Sequence, residues 1–408
     1  MRDKKTIWII NQDATTPETG YAGRSYYLSE ELSKLGHKVY LIAGGFSHLH
    51  FNSPEVKKAF DVRKVSTFNF VWLKLPSYAN AHSKKRILNW FLFAFKISRL
   101  IKQLSHKPDV VIYSSPPLIG FLGALYIKIR SKAKLVFEIR DIWPLTLKEI
   151  GGFESYNPLI LLMSLIEKLA YRKSDFVISN LSNAYKYLKR FNIDKKKFLW
   201  IPNGISLNEL SKCTPLDDCV NNLIPKDKFV IGYSGTLGAA NAMEFFIEAS
   251  KRLRNNKRIF FVIVGTGKEK ENLKSLVMGN ENVIFLDPIP KEQIYSLLQR
   301  FDVCYIGWRN HKLYDYGIGA NKLPEYLCSK KPIIHSYSGK KDIVKLAKAG
   351  ISLPSESVEE LVKAFDSVSK YQQDYLDELG RNGYEYAMQN LTYKSLAPKL
   401  INSIYSNL

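Results

Sequence analysis

Short, nearly uninterrupted apolar runs alternate with stretches of helical periodicity through the first half of the chain. TIWII (6–10), HKVYLIAG (37–44), VWLKLP (71–76), DVVIYSS (109–115), KLVFEIRD (134–141), DFVISN (175–180) and FLWIPN (198–203) read as strands. Strands apolar on both faces and separated by helices indicate βαβ units and a parallel sheet covered on both sides. A polar, glycine-bearing loop at 11–23 follows the first strand and opens a helix that runs to Leu35 and stops at Gly36. After a polar stretch at 207–227 the series restarts with FVIGYSG (229–235), RIFFVIVG (258–265), VIFLDP (283–288), DVCYIG (302–307) and KPIIHS (331–336). Helices fall between them near 241–255, 267–278, 291–300 and 321–330, and the tail from 357 to 408 shows helical periodicity alone. The pattern predicts an α/β protein of two facing Rossmann-like domains with a cleft between them. The first is expected over 1–207 and the second over 208–385, with a last helix, 386–408, crossing back to the first. Loops that follow strands are then where ligands should gather.

Composition agrees with a globular protein: 408 residues, 46% hydrophobic and 24% charged. The net charge of +22 is concentrated. Residues 1–207 hold 33 Lys and Arg against 15 Asp and Glu, whereas the rest holds 27 against 23. The first half is therefore the part that attracts anionic partners, whether nucleic acid, phosphorylated metabolites or an acidic membrane. The four cysteines, Cys213, Cys219, Cys304 and Cys328, form no C-x-x-C pair, which removes zinc and thioredoxin-type readings and suits a reducing cytoplasm. The apolar run before Asn11 is too short for a signal peptide. The longest uncharged stretch, 110–127, is broken by Ser114-Ser115-Pro116-Pro117 and does not read as a membrane span.

The loops lack G-x-G-x-x-G after the first strand, G-x-x-x-x-G-K-[ST], D-x-D and G-x-S-x-G. What remains is glycine-rich turns opening helices, with isolated cations, a combination that can hold phosphate without a metal. Thr19-Gly20-Tyr21-Ala22-Gly23-Arg24 ends the first loop, where Gly20 and Gly23 would admit a ligand and Arg24 would pair with its oxygens. A flexible turn with a solvated arginine explains it equally well. Gly235-Thr236-Leu237-Gly238 is either a phosphate nest or an ordinary βα turn. Asn321-Lys322-Leu323-Pro324-Glu325 opens a helix, so that amides and Lys322 could hold a diphosphate with Glu325 one turn further on a ribose. A carboxylate that merely favours the helix dipole is the plainer reading. Arg140-Asp141, before Trp143-Pro144, lies at a strand's carboxyl end, where function is favoured over a structural ion pair.

Taken together, TPETGYAGRSYYLSEELSKLGHKV (16–39), EIRDIWP (138–144), IPNGIS (201–206), GYSGTLG (232–238), VIVGTGKEKENL (262–273), FLDPIPKEQIYSLLQRFDV (285–303) and NKLPEYLCSKKPII (321–334) resemble glycosyltransferase family 4, the retaining transferases of GT-B fold. The subgroup is similar to bacterial enzymes of surface polysaccharide synthesis, including N-acetylfucosaminyl transferases of O-antigen and capsule. The resemblance implies a nucleotide-sugar donor, UDP-linked, in the second domain and a polyprenyl-diphosphate-linked sugar acceptor at the first. It implies that Glu325 holds the ribose, that Asn321, Lys322 and Leu323 face the diphosphate with Gly235 and Thr236, and that the loop at Ile289 and Pro290 grips the base. Arg140, Asp141, Lys322 and Arg24 are the implied catalytic group, and Gly20, Gly23 and Arg24 the acceptor loop. Catalysis is expected without a metal or other cofactor. Three departures stand out. Gly317 occupies the place of the family's first glutamate, Thr236 and Asn241 stand where an Arg and a Lys are frequent, and Arg140-Asp141 replaces a frequent His-Asp. Arg24 and Lys322 are then the candidates for the missing positive charge.

Two other readings fit parts of the chain. A nucleotide-sugar epimerase can share the fold, but leaves the lopsided charge unexplained. A nucleic-acid-binding protein fits the charge, but no recognised module appears, and no specific nucleic-acid partner is expected. Residues 84–104, KKRILNWFLFAFKISRLIKQL, offer a further expectation. As a helix they carry a narrow polar stripe of Lys85, Asn89, Lys96, Arg99 and Gln103 beside a broad apolar surface with Trp90, Phe91, Phe93 and Phe95. Flanked by Lys84-Lys85-Arg86, such a helix suits docking on an anionic inner membrane.

Overall fold

The computed structural model describes residues 4–79 and 83–406; residues 1–3, the basic start of the segment weighed as a leader, lie outside these. The chain forms two compact units, one of Met1–Pro202 with Leu396–Leu408, the other of Asn203–Ser395. Both divisions differ from the sequence reading, which placed them at 207 and 386. Residues just past Pro202 join the second unit because Ile205 bridges to Thr392 and its N–H bonds the Leu391 carbonyl at 2.8 Å. The helix Gln373–Asn390 also stays with that unit, because Gly380 lets it lie on the backbone there: a Cβ at Gly380 would stand 1.9 Å from the Lys330 carbonyl oxygen.

In the first unit β1 (Thr6–Ile10), β2 (Lys38–Gly44), β3 (Phe60–Val65), β4 (Phe68–Leu73), β5 (Val110–Ser115), β6 (Lys134–Ile139), β7 (Phe176–Ser179) and β8 (Phe198–Trp200) make one sheet. Their order is β3-β4-β2-β1-β5-β6-β7-β8, parallel throughout except for the antiparallel β3–β4 pair. Apolar β1 is central, with Ile7 opposite Val39 on one side and Val110 on the other. Strand β3 escaped the sequence reading because FDVRKV is a charged edge with no buried residue, of the kind that blocks further strand addition.

Five helices matter for the site: α1 (Arg24–Lys34), α2 (Lys84–Gln103), α3 (Phe121–Ser131), α4 (Leu145–Glu149) and α5 (Pro158–Lys173). Local chemistry starts two of them. The Ser83 side chain accepts from the Lys85 N–H, and the Asn157 side chain accepts from the Leu159 N–H with Pro158 in the first helical position. Helix α2 buries Trp90, Phe93, Ile97, Leu100 and Ile101. Asn89, expected on its outer polar stripe, is instead fully buried, where its amide donates to the Pro76 carbonyl at 2.8 Å. The end of the helix Tyr393–Ser406 is held within this unit by Lys134, whose ammonium donates to the Ile404 carbonyl at 2.8 Å and lies over the Tyr405 ring.

The second unit is a fully parallel sheet, β11-β10-β9-β12-β13-β14, of β9 (Phe229–Ser234), β10 (Ile259–Val264), β11 (Val283–Leu286), β12 (Val303–Gly307), β13 (Ile333–Ser336) and β14 (Gly350–Leu353). Period-two alternation sorts its residues onto two cores. Val230, Val264 and Ile306 pack with Leu323, Tyr326 and Leu327 on one face, whereas Ile231, Ile263 and Tyr305 pack with Phe246 and Phe365 on the other. Each such side chain contributes about 1.5–3 kcal/mol on full burial. The short strand β14 was not expected, since GISL lies within a polar stretch.

Candidate functional site

In the second unit the expected donor residues gather around the turn after β9. The Lys322 ammonium donates to the Tyr233 phenol at 2.6 Å and stands 4.1 Å from the centre of its ring. The Tyr233 phenol in turn donates to the Thr236 carbonyl at 2.6 Å. Gly235 is favoured here by its φ of +152°, and a Cβ on it would lie 2.5 Å from the Lys322 nitrogen and push the ammonium aside. Lys322 is thus placed at the turn where Thr236 and Asn241 lack the frequent cations. Burial pulls its pKa down to about 7, against the pull of Glu325 in the other direction. The backbone before it is set by Asn203, whose amide donates to the Gly319 carbonyl at 2.9 Å and to Asn321 Oδ1 at 2.8 Å.

Glu325 stands one turn into the short helix Lys322–Cys328, where its Oε1 accepts from the Lys291 ammonium at 2.9 Å. Lys291 follows the loop of Pro288, Ile289 and Pro290, and Glu209 lies 3.9 Å from its ammonium. Burial opposes the charge on Lys291, but the two carboxylates prevail and raise its pKa. Pro290 is exposed and Ile289 packs against the core, so the loop presents backbone rather than a polar side chain. The Leu323 side chain is buried in the core, leaving only its backbone for a donor. Gly317 has φ of +107°, a conformation that a glutamate would enter only under strain.

The first unit assembles a different constellation. Arg24 was expected as a free cation, but only 3% of its surface is exposed. Its Nε donates to Glu138 Oε1 at 2.7 Å, and its Nη1 donates to the Pro202 carbonyl. Ser114 donates to the other Glu138 oxygen at 2.6 Å. Burial works against the Glu138 carboxylate, yet Arg24, Arg140 and Ser114 together hold its pKa below the ordinary value. Arg24 Nη2 and Arg140 Nε are buried without hydrogen-bond partners among the described residues. Asp141 is bound to its own loop, since its carboxylate accepts from Trp143 Nε1 at 3.0 Å and from Thr146 Oγ1 at 2.6 Å. Gly20 is packed, with a Cβ there reaching 2.9 Å from the Leu49 carbonyl, whereas Gly23 has open space around it.

The structure thus brings Lys322, Gly235, Thr236 and Glu325 into one region, ties Asn321 to Asn203, and removes Arg24 to the interior. Lys291 and Glu138, which the structure pairs with Glu325 and Arg24, were not singled out in the sequence. Lys291 sits in the quoted stretch PIPKEQ, but nothing local to it marks Glu325, 34 positions away, as its partner. Among the described residues no group of three or more His, Cys, Asp or Glu gathers to hold a metal ion.

Two family models cover this chain, "Glycosyltransferase Family 4" over residues 20–209 and "Glycosyl transferases group 1" over 218–386. Putative colanic acid biosynthesis glycosyl transferase WcaI of Escherichia coli (strain K12) is 26% identical over 308 residues, 71% of this chain and 74% of that protein. Sucrose-phosphate synthase from Thermosynechococcus elongatus is similar in structure, with a TM-score of 0.74 at 16% identity, covering 99% of this chain and 100% of the other. Anabaena Alr3699/HepE in complex with UDP-glucose has a TM-score of 0.65 at 14% identity, with 99% and 100% covered. The structural likenesses extend along nearly the whole chain and agree with two parallel-sheet units of the GT-B class. The chain belongs to the family 4 glycosyltransferases and is a transferase enzyme.

Proposed function

We propose that the protein transfers a sugar, an N-acetylated amino sugar, from a UDP-sugar to a polyprenyl-diphosphate-linked glycan, with retention at the anomeric carbon, in the synthesis of a bacterial O-antigen or capsule. The observation that carries the donor half is Lys322, a buried amine held at the β9 turn one helical turn from Glu325. In this reading the Lys322 amine takes a proton as the diphosphate arrives, and Glu325 Oε2 accepts from the ribose while Lys291 holds Oε1. The bond from the anomeric carbon to the diphosphate oxygen breaks, and the acceptor hydroxyl attacks from the same face. Its proton passes to the departing diphosphate. Fixed cations and amides stabilise the charge that grows on the leaving group, and no metal is required. Arg24 acts through Glu138, and Asp141 shapes the loop in front of α4. Support for UDP comes from the Anabaena relative of the same fold, and support for surface polysaccharide from the WcaI relationship. Arg140 and Gly23 would face the acceptor. The enzyme would work at the inner face of the cytoplasmic membrane, docked through its basic first unit; among the described residues no helix is long and apolar enough to cross a membrane.

The test is a nucleotide-sugar screen by thermal stabilisation, UDP-sugars first, followed by product analysis with and without a lipid-linked acceptor. Stabilisation by GDP- or dTDP-sugars alone would reject the UDP assignment. Interconversion of nucleotide-sugars without an acceptor would instead favour the epimerase.

A further inference from the structure

Three neighbouring helices of the first unit expose apolar residues at helical spacing. On α2 the outward positions are Leu88, Phe91 and Phe95, the first and last being 53% and 52% exposed. Helix α3 lies against α2 with almost no gap, because Gly123 has no side chain: a Cβ there would stand 2.4 Å from the Ala94 carbonyl oxygen. Its outward positions are Leu122, Tyr126 and Ile129, the last 68% exposed. Helix α5 also packs against α3 and exposes Leu161 and Leu165, the latter also 68% exposed. A soluble domain scatters such residues singly; here they share one face, and the surface of a monomer rarely leaves so many together.

The charges on the same helices are all of one sign. Helices α2 and α3 contain no Asp or Glu, and the one acidic residue of α5, Glu167, is buried. Basic residues follow the apolar ones toward each helix C-terminus, Arg99 and Lys102 on α2, Arg130 on α3, and Lys168 and Arg172 on α5, and Lys84 and Lys85 precede them at the start of α2, all exposed. Between α2 and α3 a depression of about 450 Å³ is lined by Phe95, Ser98, Arg99, Lys102, Gln103 and Tyr126. The Arg99 guanidinium lies 4.2 Å from the centre of the Phe95 ring, and neither Arg99 nor Lys102 is ion-paired among the described residues. A phenol, an amide and two unpaired cations around a shallow basin, beside exposed rings, match a phosphodiester headgroup next to its acyl chains, whereas the Ser98 hydroxyl donates to the Phe95 carbonyl at 2.7 Å.

We propose that the outward face of α2, α3 and α5 together is the surface on which this protein docks to a bilayer containing anionic phospholipid, with Arg99 and Lys102 receiving a headgroup phosphate. It rests on the peripheral-membrane reading above and extends it from one helix to three, with a stated lipid class. Charge complementarity selects an anionic bilayer, since every exposed charge on the three helices is positive.

The experiment is co-flotation of the full chain with vesicles of phosphatidylcholine alone or with added phosphatidylglycerol, at low salt. Wild type is expected to float with the anionic vesicles and not with the neutral ones. Two cations near such a surface supply a factor of about 30 in partitioning, so Arg99→Glu with Lys102→Glu is expected to lower it at least that far. Leu165→Glu on α5 and Ile129→Glu on α3 are expected to abolish flotation, as is Phe91→Glu with Phe95→Glu on α2. Circular dichroism and unchanged thermal unfolding check that each variant is folded; all these side chains are exposed. If only the α2 variants fail to float, the three-helix face is wrong and docking through α2 stands. Unchanged flotation of Arg99→Glu/Lys102→Glu would remove the headgroup site. No flotation of wild type, or a dimer by light scattering that Leu165→Glu dissociates, overturns the proposal, the dimer assigning the face to a second copy.

Discussion

Lys291 and Glu325 form an ion pair 2.9 Å long that joins the loop after β11 to the helix after the residues 317–321 loop. One carboxylate oxygen is taken, and the lysine fixes which way the other points. Glu325→Ala is expected to weaken UDP binding by about 10–100-fold, the range of hydrogen bonds to a charged group. Lys291→Met is expected to cost less, and to shrink the preference for UDP over its 2′,3′-dideoxy analogue. Calorimetric titration of both nucleotides reads this directly. An undiminished preference in Lys291→Met would leave Lys291 a surface lysine.

Lys322 titrates near neutrality, with a pKa of about 7. It is charged below that pH and neutral above it in the donor-free protein, whereas a bound diphosphate favours the charged form. Affinity for UDP is therefore expected to fall about tenfold per pH unit above 7, until the pKa of the complex no longer exceeds the pH. Lys322→Met is expected to flatten this dependence and to lower turnover about 100-fold, more than it weakens binding, because leaving-group charge grows in the transition state. A pH-independent affinity in wild type would contradict a neutral resting lysine.

Arg24 and Glu138 are nearly inaccessible, so removing one leaves the other an unpaired buried charge. Arg24→Met is expected to destabilise the first unit by about 3–5 kcal/mol, and Arg24→Met with Glu138→Met by less. Urea unfolding of both variants tests it. The depressed pKa of Glu138 adds a sign: its contribution is present above the unfolded pKa and is lost as pH falls through the folded one. Stability unchanged in Arg24→Met, with acceptor use abolished, would return Arg24 to the role of a ligand residue.

Glu167 on α5 is buried and accepts from the Tyr171 phenol at 3.0 Å. Burial raises its pKa to about 7. The folded state then binds more protons than the unfolded one between the ordinary glutamate value and about 7, and stability falls as pH rises through that window. Glu167→Gln is expected to unfold at a higher temperature than wild type at pH 8, and with little difference at pH 4. Parallel melting curves across this range would contradict the assignment.

On the proposed mechanism, in which Lys322 and backbone amides at the β9 turn would meet the charge of the diphosphate, activity is expected to survive EDTA. Complete loss in EDTA, restored by Mg²⁺ or Mn²⁺, would reject the metal-free mechanism.

The sequence alone determined what depends on local pattern. Continuous apolar runs such as TIWII and FFVIV, short and rich in β-branched residues, read as strands covered on both faces, and their alternation with helices selected parallel sheets. The family was legible because seven short segments occur in a fixed order, and Lys322 and Glu325 could be singled out as candidates because both lie within one of them. Tertiary structure alone decided which groups meet. Arg24 and Glu138 are 114 positions apart, and no spacing rule distinguishes a solvated arginine from one buried by a carboxylate on β6. The edge strand β3 was hidden because its charged residues face water, so the hydrophobic effect wrote no pattern there. The apolar stripe of α2 was visible, but not that Asn89 belongs to its buried face or that α3 and α5 extend the exposed one. Periodicity records that a helix has two faces, and only packing decides which of them the core covers.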